Sequence, residues 1–267
     1  MMKPRFLFGG ALLLAMLGSW PLSAQESRPE LLYSWDFESA TPFKHLSEMP
    51  ADISVTDDPL TTGNHVMRVL LPNGSSRSEV SVGDPKPHYF YCDSTDMAHG
   101  DELWVGFRIM IPRQTYTGDN NNITLFQIGP IQNIVSYPGV SSKGHFQFQF
   151  NTSRNRWRLR EFASIYNPGR ETAKYLVSAN TDAWETIVIH IRFRSDDQGV
   201  IELWRNGDKI FEQQRPNGTP HARTRVKWGA YVGKENGSHE PFVCYFDDVR
   251  IGGKGASFED VCPAPKQ

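Results

Sequence analysis

The sequence predicts an all-β protein built from antiparallel sheets, and three observations carry that prediction. Beyond residue 24 no stretch shows the 3.6-residue periodicity of an amphipathic helix. A dozen short runs alternate apolar and polar residues instead. Gly, Pro, Asn and Asp separate these runs at the spacing expected of a sandwich or barrel. In order, the runs are residues 31–37, 66–71, 76–82, 102–111, 124–128, 145–151, 156–162, 186–194, 200–205, 209–213, 225–232 and 242–251. Asn206-Gly207 falls between two of them and gives a two-residue hairpin signal, since both residue types tolerate positive φ. Asn120-Asn121-Asn122 and Tyr137-Pro138-Gly139 read as loops, and the tail after Gly252 as irregular.

Side chains alternate across a strand, so each run has two faces. Arg77, Glu79 and Ser81 oppose Ser78, Val80 and Val82. His145, Gln147 and Gln149 oppose Phe146, Phe148 and Phe150. Arg156, Arg158 and Arg160 oppose Trp157 and Leu159, while His190, Arg192 and Arg194 oppose Ile189, Ile191 and Phe193. Lys227, Gly229 and Tyr231 oppose Val226, Trp228, Ala230 and Val232. Ordinary solvent-facing sides of a sandwich would also alternate in this way. These polar faces, however, are poor in Ser, Thr and Asp and rich in cations and amides. A sheet face assembled from them suits an extended polyanion.

Residues 1–24 read as a targeting segment rather than part of the fold. Lys3 and Arg5 precede an apolar stretch from Phe6 to Leu17, and Leu22-Ser23-Ala24 offers the small residues of a cleavage site. Residues 25–267 are then expected to form a single domain in a secreted or periplasmic protein. The formal net charge of −2, from 28 basic and 30 acidic residues, predicts neither a nucleic-acid nor a membrane-surface partner. Cys92, Cys244 and Cys262 allow one disulfide and one spare thiol. Their pairing is not readable from the chain, although Cys244–Cys262 would pin the tail to the last strand.

Three segments occur in a telling order: Ser76-Arg77-Ser78-Glu79-Val80, Phe126-Gln127-Ile128 and Lys227-Trp228-Gly229-Ala230-Tyr231. They resemble the Arg-Thr/Ser-Glu, Gln-Ile-His and Lys-x-Gly-x-Tyr strands of the jelly-roll polysaccharide lyases. Tyr33 to Glu38, Leu103 to Phe107, Trp204 to Gly207 and Tyr245 to Ile251 add supporting matches. The pattern is most similar to the heparin lyase I and glucuronan lyase grouping, with alginate lyases more distant. The resemblance covers nearly all of the chain beyond residue 24. It implies a β-jelly-roll sandwich of two antiparallel sheets with a concave groove, and β-elimination on a uronate polymer.

Such a reaction removes the C5 proton of a uronate and protonates the departing O4. Neutralising the adjacent carboxylate stabilises the charge of the transition state. The resemblance places Arg77 and Gln127 in that role, with Glu79 holding the guanidinium. It makes Tyr231 the candidate general base and acid. A free tyrosine titrates near pH 10, so positive charge from Lys227 and Arg77 would help it. Gly229 is expected to leave room for a sugar ring. Gly129 stands where relatives often carry His, so either Tyr231 makes both proton transfers or another histidine substitutes. His145 is the first candidate and His88 the second. Both transfers by one residue suit a same-side geometry, as in a β-1,4-linked D-glucuronate polymer. Gln147, Gln149, Arg158, Arg160 and Arg192 are the expected substrate-binding residues.

No organic cofactor is implied. Asp36, Glu38, Asp247 and Asp248 are expected on the first and last strands, where they read either as ligands of a structural calcium ion or as solvated surface acids. The expected partner is an anionic polysaccharide, with no nucleic acid or membrane, and the expected state is a monomer. Two other functions fit parts of the pattern. A carbohydrate-binding module would keep the polar face without chemistry. A glycoside hydrolase needs two facing carboxylic acids, for which no convincing strand is present. Alginate and heparin-like glycans are alternative substrates.

Overall fold

A computed structural model describes residues 31–47, 49–82, 90–91, 100–113, 122–130, 146–161, 172–218, 223–233 and 240–264. In chain order the strands are β1 Tyr33–Trp35, β2 Leu46–Ser47, β3 Ile53–Asp57, β4 His65–Leu71, β5 Arg77–Val82 and β6 Phe90–Tyr91. Next come β7 Glu102–Met110, β8 Asn122–Pro130, β9 Phe146–Asn151, β10 Arg156–Glu161 and β11 Thr172–Ser178. The last are β12 Trp184–Arg192, β13 Val200–Arg205, β14 Asp208–Gln214, β15 Arg223–Tyr231 and β16 Phe242–Gly252, followed by a short helix, α1 Phe258–Val261. One eight-stranded sheet runs β14-β13-β12-β7-β16-β4-β3, with β1 beside β16. The other runs β11-β10-β9-β8-β15-β5-β2, with β6 beside β15. All pairings are antiparallel, so the sandwich is a jelly roll of two sheets.

The apolar faces meet between the sheets. Phe107 of β7 packs on Phe126 of β8 and Phe148 of β9, with ring centroids 6.2 and 6.4 Å apart. Trp157 and Trp228 are fully buried in the same core. Burying one such aromatic contributes about 2–3 kcal/mol, which sets the facing of each strand. The Trp157 indole also donates to Glu185 of β12 at 2.8 Å, linking the two sheets. Burial pushes the Glu185 carboxyl above the ordinary glutamate range, and Arg205 answers it from β13. At the β11 edge, Gln213 donates to Glu161 at 2.8 Å and Lys174 lies 5.0 Å over the Phe211 ring. These contacts tie the edge of the second sheet to β14 of the first.

Helix α1 lies against the first sheet over Gly106. A side chain at Gly106 would meet the Val261 carbonyl oxygen at 2.0 Å, so the glycine is what lets the segment dock. Ser257 caps the helix, its backbone N–H and its hydroxyl both donating to Asp260 at 2.9 and 2.8 Å.

All twelve predicted runs form strands. The sequence reading missed β2, β3, β6, β11 and α1. The suggested Cys244–Cys262 link is corrected: both thiols are free, Cys244 facing the core and Cys262 following α1 outside the first sheet. Cys92, His88, His145 and the segment 1–24 lie outside the described residues. Among the described residues, no helix is long and apolar enough to cross a membrane.

Candidate active site

The outer face of the second sheet carries two cross-strand rows. One runs Ser81, Lys227, Gln127, Gln147 and Arg160, across β5, β15, β8, β9 and β10. The other runs Arg77, Tyr231, Thr124, Gln149, Arg158 and Tyr175, ending on β11. Three separate sequence motifs therefore converge, because β5, β15 and β8 are neighbours in this sheet. Arg77, Gln127 and Tyr231 share one face, as the sequence reading requires.

Glu79 sits between the rows and opposite Gly229 in register. Its carboxylate crosses β15 at that glycine to reach β8, where the Gln127 amide donates to both oxygens at 2.7 and 2.9 Å. Arg77 pairs with the same carboxylate from its own strand, Nε to Oε2 at 3.2 Å. From Gln127 a chain of amides continues across the sheet. Gln147 donates to Gln127 at 3.1 Å and Gln149 donates to Gln147 at 3.0 Å. Arg158 donates to Gln149, closing the chain at a guanidinium. Every bond points the same way, from the cation at β10 to the carboxylate at β5. Each amide carbonyl thus accepts from its neighbour, and hydrogen-bond dipoles aligned in this sense reinforce one another.

This face is buried although it is polar. Glu79 is 1 % exposed and Gln147 and Gln149 are each 2 % exposed, with Gln127, Lys227 and Thr124 also buried. Burying such groups costs free energy unless each is hydrogen-bonded, so a merely solvated sheet face would not look like this. Tyr231, Arg158, Arg160 and Tyr175 are half-buried, and Arg77 is the exposed member of the rows, with a side chain 42 % exposed. Its guanidinium carbon lies 4.6 Å from the centre of the half-buried Tyr231 ring.

Several expected roles change. Gly229 does not clear space for a sugar: its φ is 137°, and a Cβ there would meet Ser78 O at 2.3 Å and Glu79 Cα at 2.8 Å. The glycine allows β15 to bulge against β8, where the pairing register shifts between Trp228 and Tyr231, while its pairing with β5 stays in register. Lys227 and Tyr231 lie on the same face but about 10–13 Å apart along the strand, leaving Arg77 as the cation beside the phenol. Arg192 belongs to the other sheet, where it pairs with Glu102 at 3.5 Å. The acids expected as calcium ligands have separate partners: Asp247 accepts from Arg108 and from Asn64, each at 3.2 Å. Glu38 instead accepts from His65 at 2.7 Å, and Asp36 accepts from the Glu38 backbone at 3.1 Å. Among the described residues no three His, Cys, Asp or Glu side chains gather as metal ligands.

The sequence reading missed Thr124, which accepts from Gln149 at 3.0 Å, and Tyr175, which lies on an unpredicted strand. It also passed over Arg225, which pairs in register with Gly129, the position where a histidine was expected. The alternation of residues 225, 227, 229 and 231 could have supplied Arg225.

A jelly roll with a buried polar row and cations along one face defines a binder of extended anionic chains. A family model described as polysaccharide lyase matches residues 32–250, and the chain belongs to that family. It is a polysaccharide lyase, an enzyme. No curated protein matches it. Among solved structures it is similar to an endo-β-1,4-glucuronan lyase from the fungus Trichoderma reesei, with a TM-score of 0.62 and 15 % identity over 89 % of this chain and 100 % of that one. An alginate lyase from Aplysia kurodai gives 0.57 and 11 % identity, over 84 % of this chain and 99 % of that one. An alginate lyase from a Chlorella virus gives 0.54 and 13 % identity, over 84 % and 100 %. At these identities the likeness concerns the fold.

Proposed function

We propose that this lyase cleaves a uronate polymer by β-elimination, with Tyr231 as general base and acid and a β-1,4-linked D-glucuronate chain as substrate. The observation that carries the reading is the Arg77–Tyr231 pair, held by Glu79 at the end of the polar row. Arg77 binds Glu79 through Nε, and in this reading its two terminal nitrogens take the substrate carboxylate. That contact offsets the negative charge that grows on the carboxylate as the C5 proton leaves. The same guanidinium, 4.6 Å from the ring, offsets the negative charge that the phenol oxygen must carry before it can take the C5 proton. Tyr231 then returns a proton to the leaving O4.

Gln127 has its amide on Glu79 and its carbonyl on Gln147, so it acts by fixing Arg77 through the shared carboxylate. Arg225 supplies positive charge beside Gly129, where the resemblance would place a histidine. Secretion, and action on glucuronan rather than alginate or a heparin-like glycan, are part of the same proposal. The test is ultraviolet absorbance of the unsaturated uronate after incubation with glucuronan, alginate and heparin. Glucuronan is expected to give the fastest signal. Polymer binding with no signal from any of them would establish a non-catalytic groove instead.

A further inference from the structure

The polar row does not stop at the candidate proton-transfer residue. It continues four strands beyond Tyr231, through Thr124, Gln149 and Arg158, and ends on β11 at Tyr175, opposite Arg158 in register. Two guanidiniums flank that ring: Arg154, from the β9–β10 turn, with its guanidinium carbon 4.3 Å from the ring centre, and Arg158 at 5.9 Å. Tyr175 is half-buried and Arg154 is exposed. Among the described residues Arg154 has no carboxylate partner. The segment is rigidly placed, because Leu159 and Leu176 are buried beneath it and Lys174 and Glu161 hold the edge to β14.

We propose that Arg154, Arg158 and Tyr175 form a distal subsite that binds the carboxylate of a second uronate residue of the same polysaccharide chain. An aromatic face for a sugar ring and two planar donors for a carboxylate are the complementary chemistry. The occupant is fixed by continuity: the buried amide chain joins this end to the Arg77–Glu79 end along one face. From Tyr231 to Tyr175 there are four strand intervals, about 19 Å, and a pyranose repeat is close to one interval in length. The subsite therefore engages chains of about five sugars or more and is empty with shorter ones. This inference rests on the uronate-lyase reading.

The experiment compares wild type, Arg154→Ala and Tyr175→Ala on oligoglucuronates of defined length. Arg154 lies in an exposed turn, so its variant keeps the fold even if the Tyr175 variant does not. The expected result is a tenfold fall in kcat/KM on long oligomers and less than a twofold change on the shortest cleaved one. Arg154→Lys should fall between, since it keeps the charge without the planar fork. An equal loss at every length, or no loss at any length, overturns the subsite. Carboxyl-reduced, neutral oligomers must bind wild type and Arg154→Ala alike by calorimetry, and a difference there would also overturn it. If the wild type cleaves no uronate oligomer, the lyase reading falls while the subsite is still judged by calorimetry. Arg154→Ala must then weaken long acidic oligomers tenfold and spare short ones, and equal affinities overturn it.

Discussion

The two sheets present outer faces of similar composition that are wired in opposite ways. On the first sheet a group of cations around β12 meets carboxylates. The His190 ring of β12 is held between two carboxylates, with Nδ1 2.7 Å from Glu202 and Nε2 2.8 Å from Glu102. Lys209 also donates to Glu202 at 2.5 Å, Arg192 pairs with Glu102, and Arg194 bridges Asp101 and Asp196. On the second sheet the described residues of the polar face include Arg77, Arg158, Arg160, Arg225 and Lys227 against a single carboxylate, Glu79. Its polar atoms are linked by amides. Among the described residues, one face is laced with ion pairs and the other with a directed chain of amides.

Several substitutions would break or sharpen that contrast. The largest effect is expected from Tyr231→Phe, which should lower kcat on the polymer by about 10²–10⁴-fold while polymer affinity by calorimetry stays within a few-fold. Glu79→Gln should follow, with a loss of about 10²-fold in kcat/KM and of ~2–3 kcal/mol in stability by chemical denaturation, because it removes the one carboxylate that holds both Arg77 and Gln127.

Glu102→Gln on the opposite sheet should cost ~1–3 kcal/mol of stability and leave kcat unchanged. The hydrogen bond from His190, first among several causes, holds the Glu102 carboxyl below the ordinary glutamate range. A depressed carboxylate contributes stability above its unfolded value and loses it as pH falls through the folded one. The gap between Glu102→Gln and wild type should therefore narrow as pH drops below about 4. A gap that widens would contradict the ion-pair account. The smallest effect belongs to Arg192→Ala, with KM unchanged within twofold and stability lowered by less than ~1 kcal/mol. A large rise in KM there would abolish the distinction between the faces.

The strands were legible because alternation is a local property. In residues 146–150 the three phenylalanines go inward and the two glutamines outward, and burial of the aromatics settles which is which. β2 and β6 escaped because two-residue strands hold no period, and β11 because Thr172–Ser178 places Ala173 and Lys174 consecutively at an exposed edge. The Arg77, Gln127 and Tyr231 convergence was legible through resemblance. The misplacement of Arg192 shows where single strands fail. His190-Ile191-Arg192 and Arg158-Leu159-Arg160 look alike in isolation, and only strand order reveals which of them faces Glu102 and Glu202. Gly229 misled for a related reason: an achiral residue in a strand signals close approach, but the approaching group proved to be the β5 backbone.

The docking of α1 over Gly106 has a practical corollary for anyone engineering this enzyme. The final turn works as a lid on the back of the molecule, so deleting residues from 258 onward would strip cover from Gly106 and from Trp204, whose ring lies 5.4 Å from that of Phe258. Affinity handles and immobilisation chemistry attached to this back surface would leave the polar face of the second sheet open to the bulk polymer.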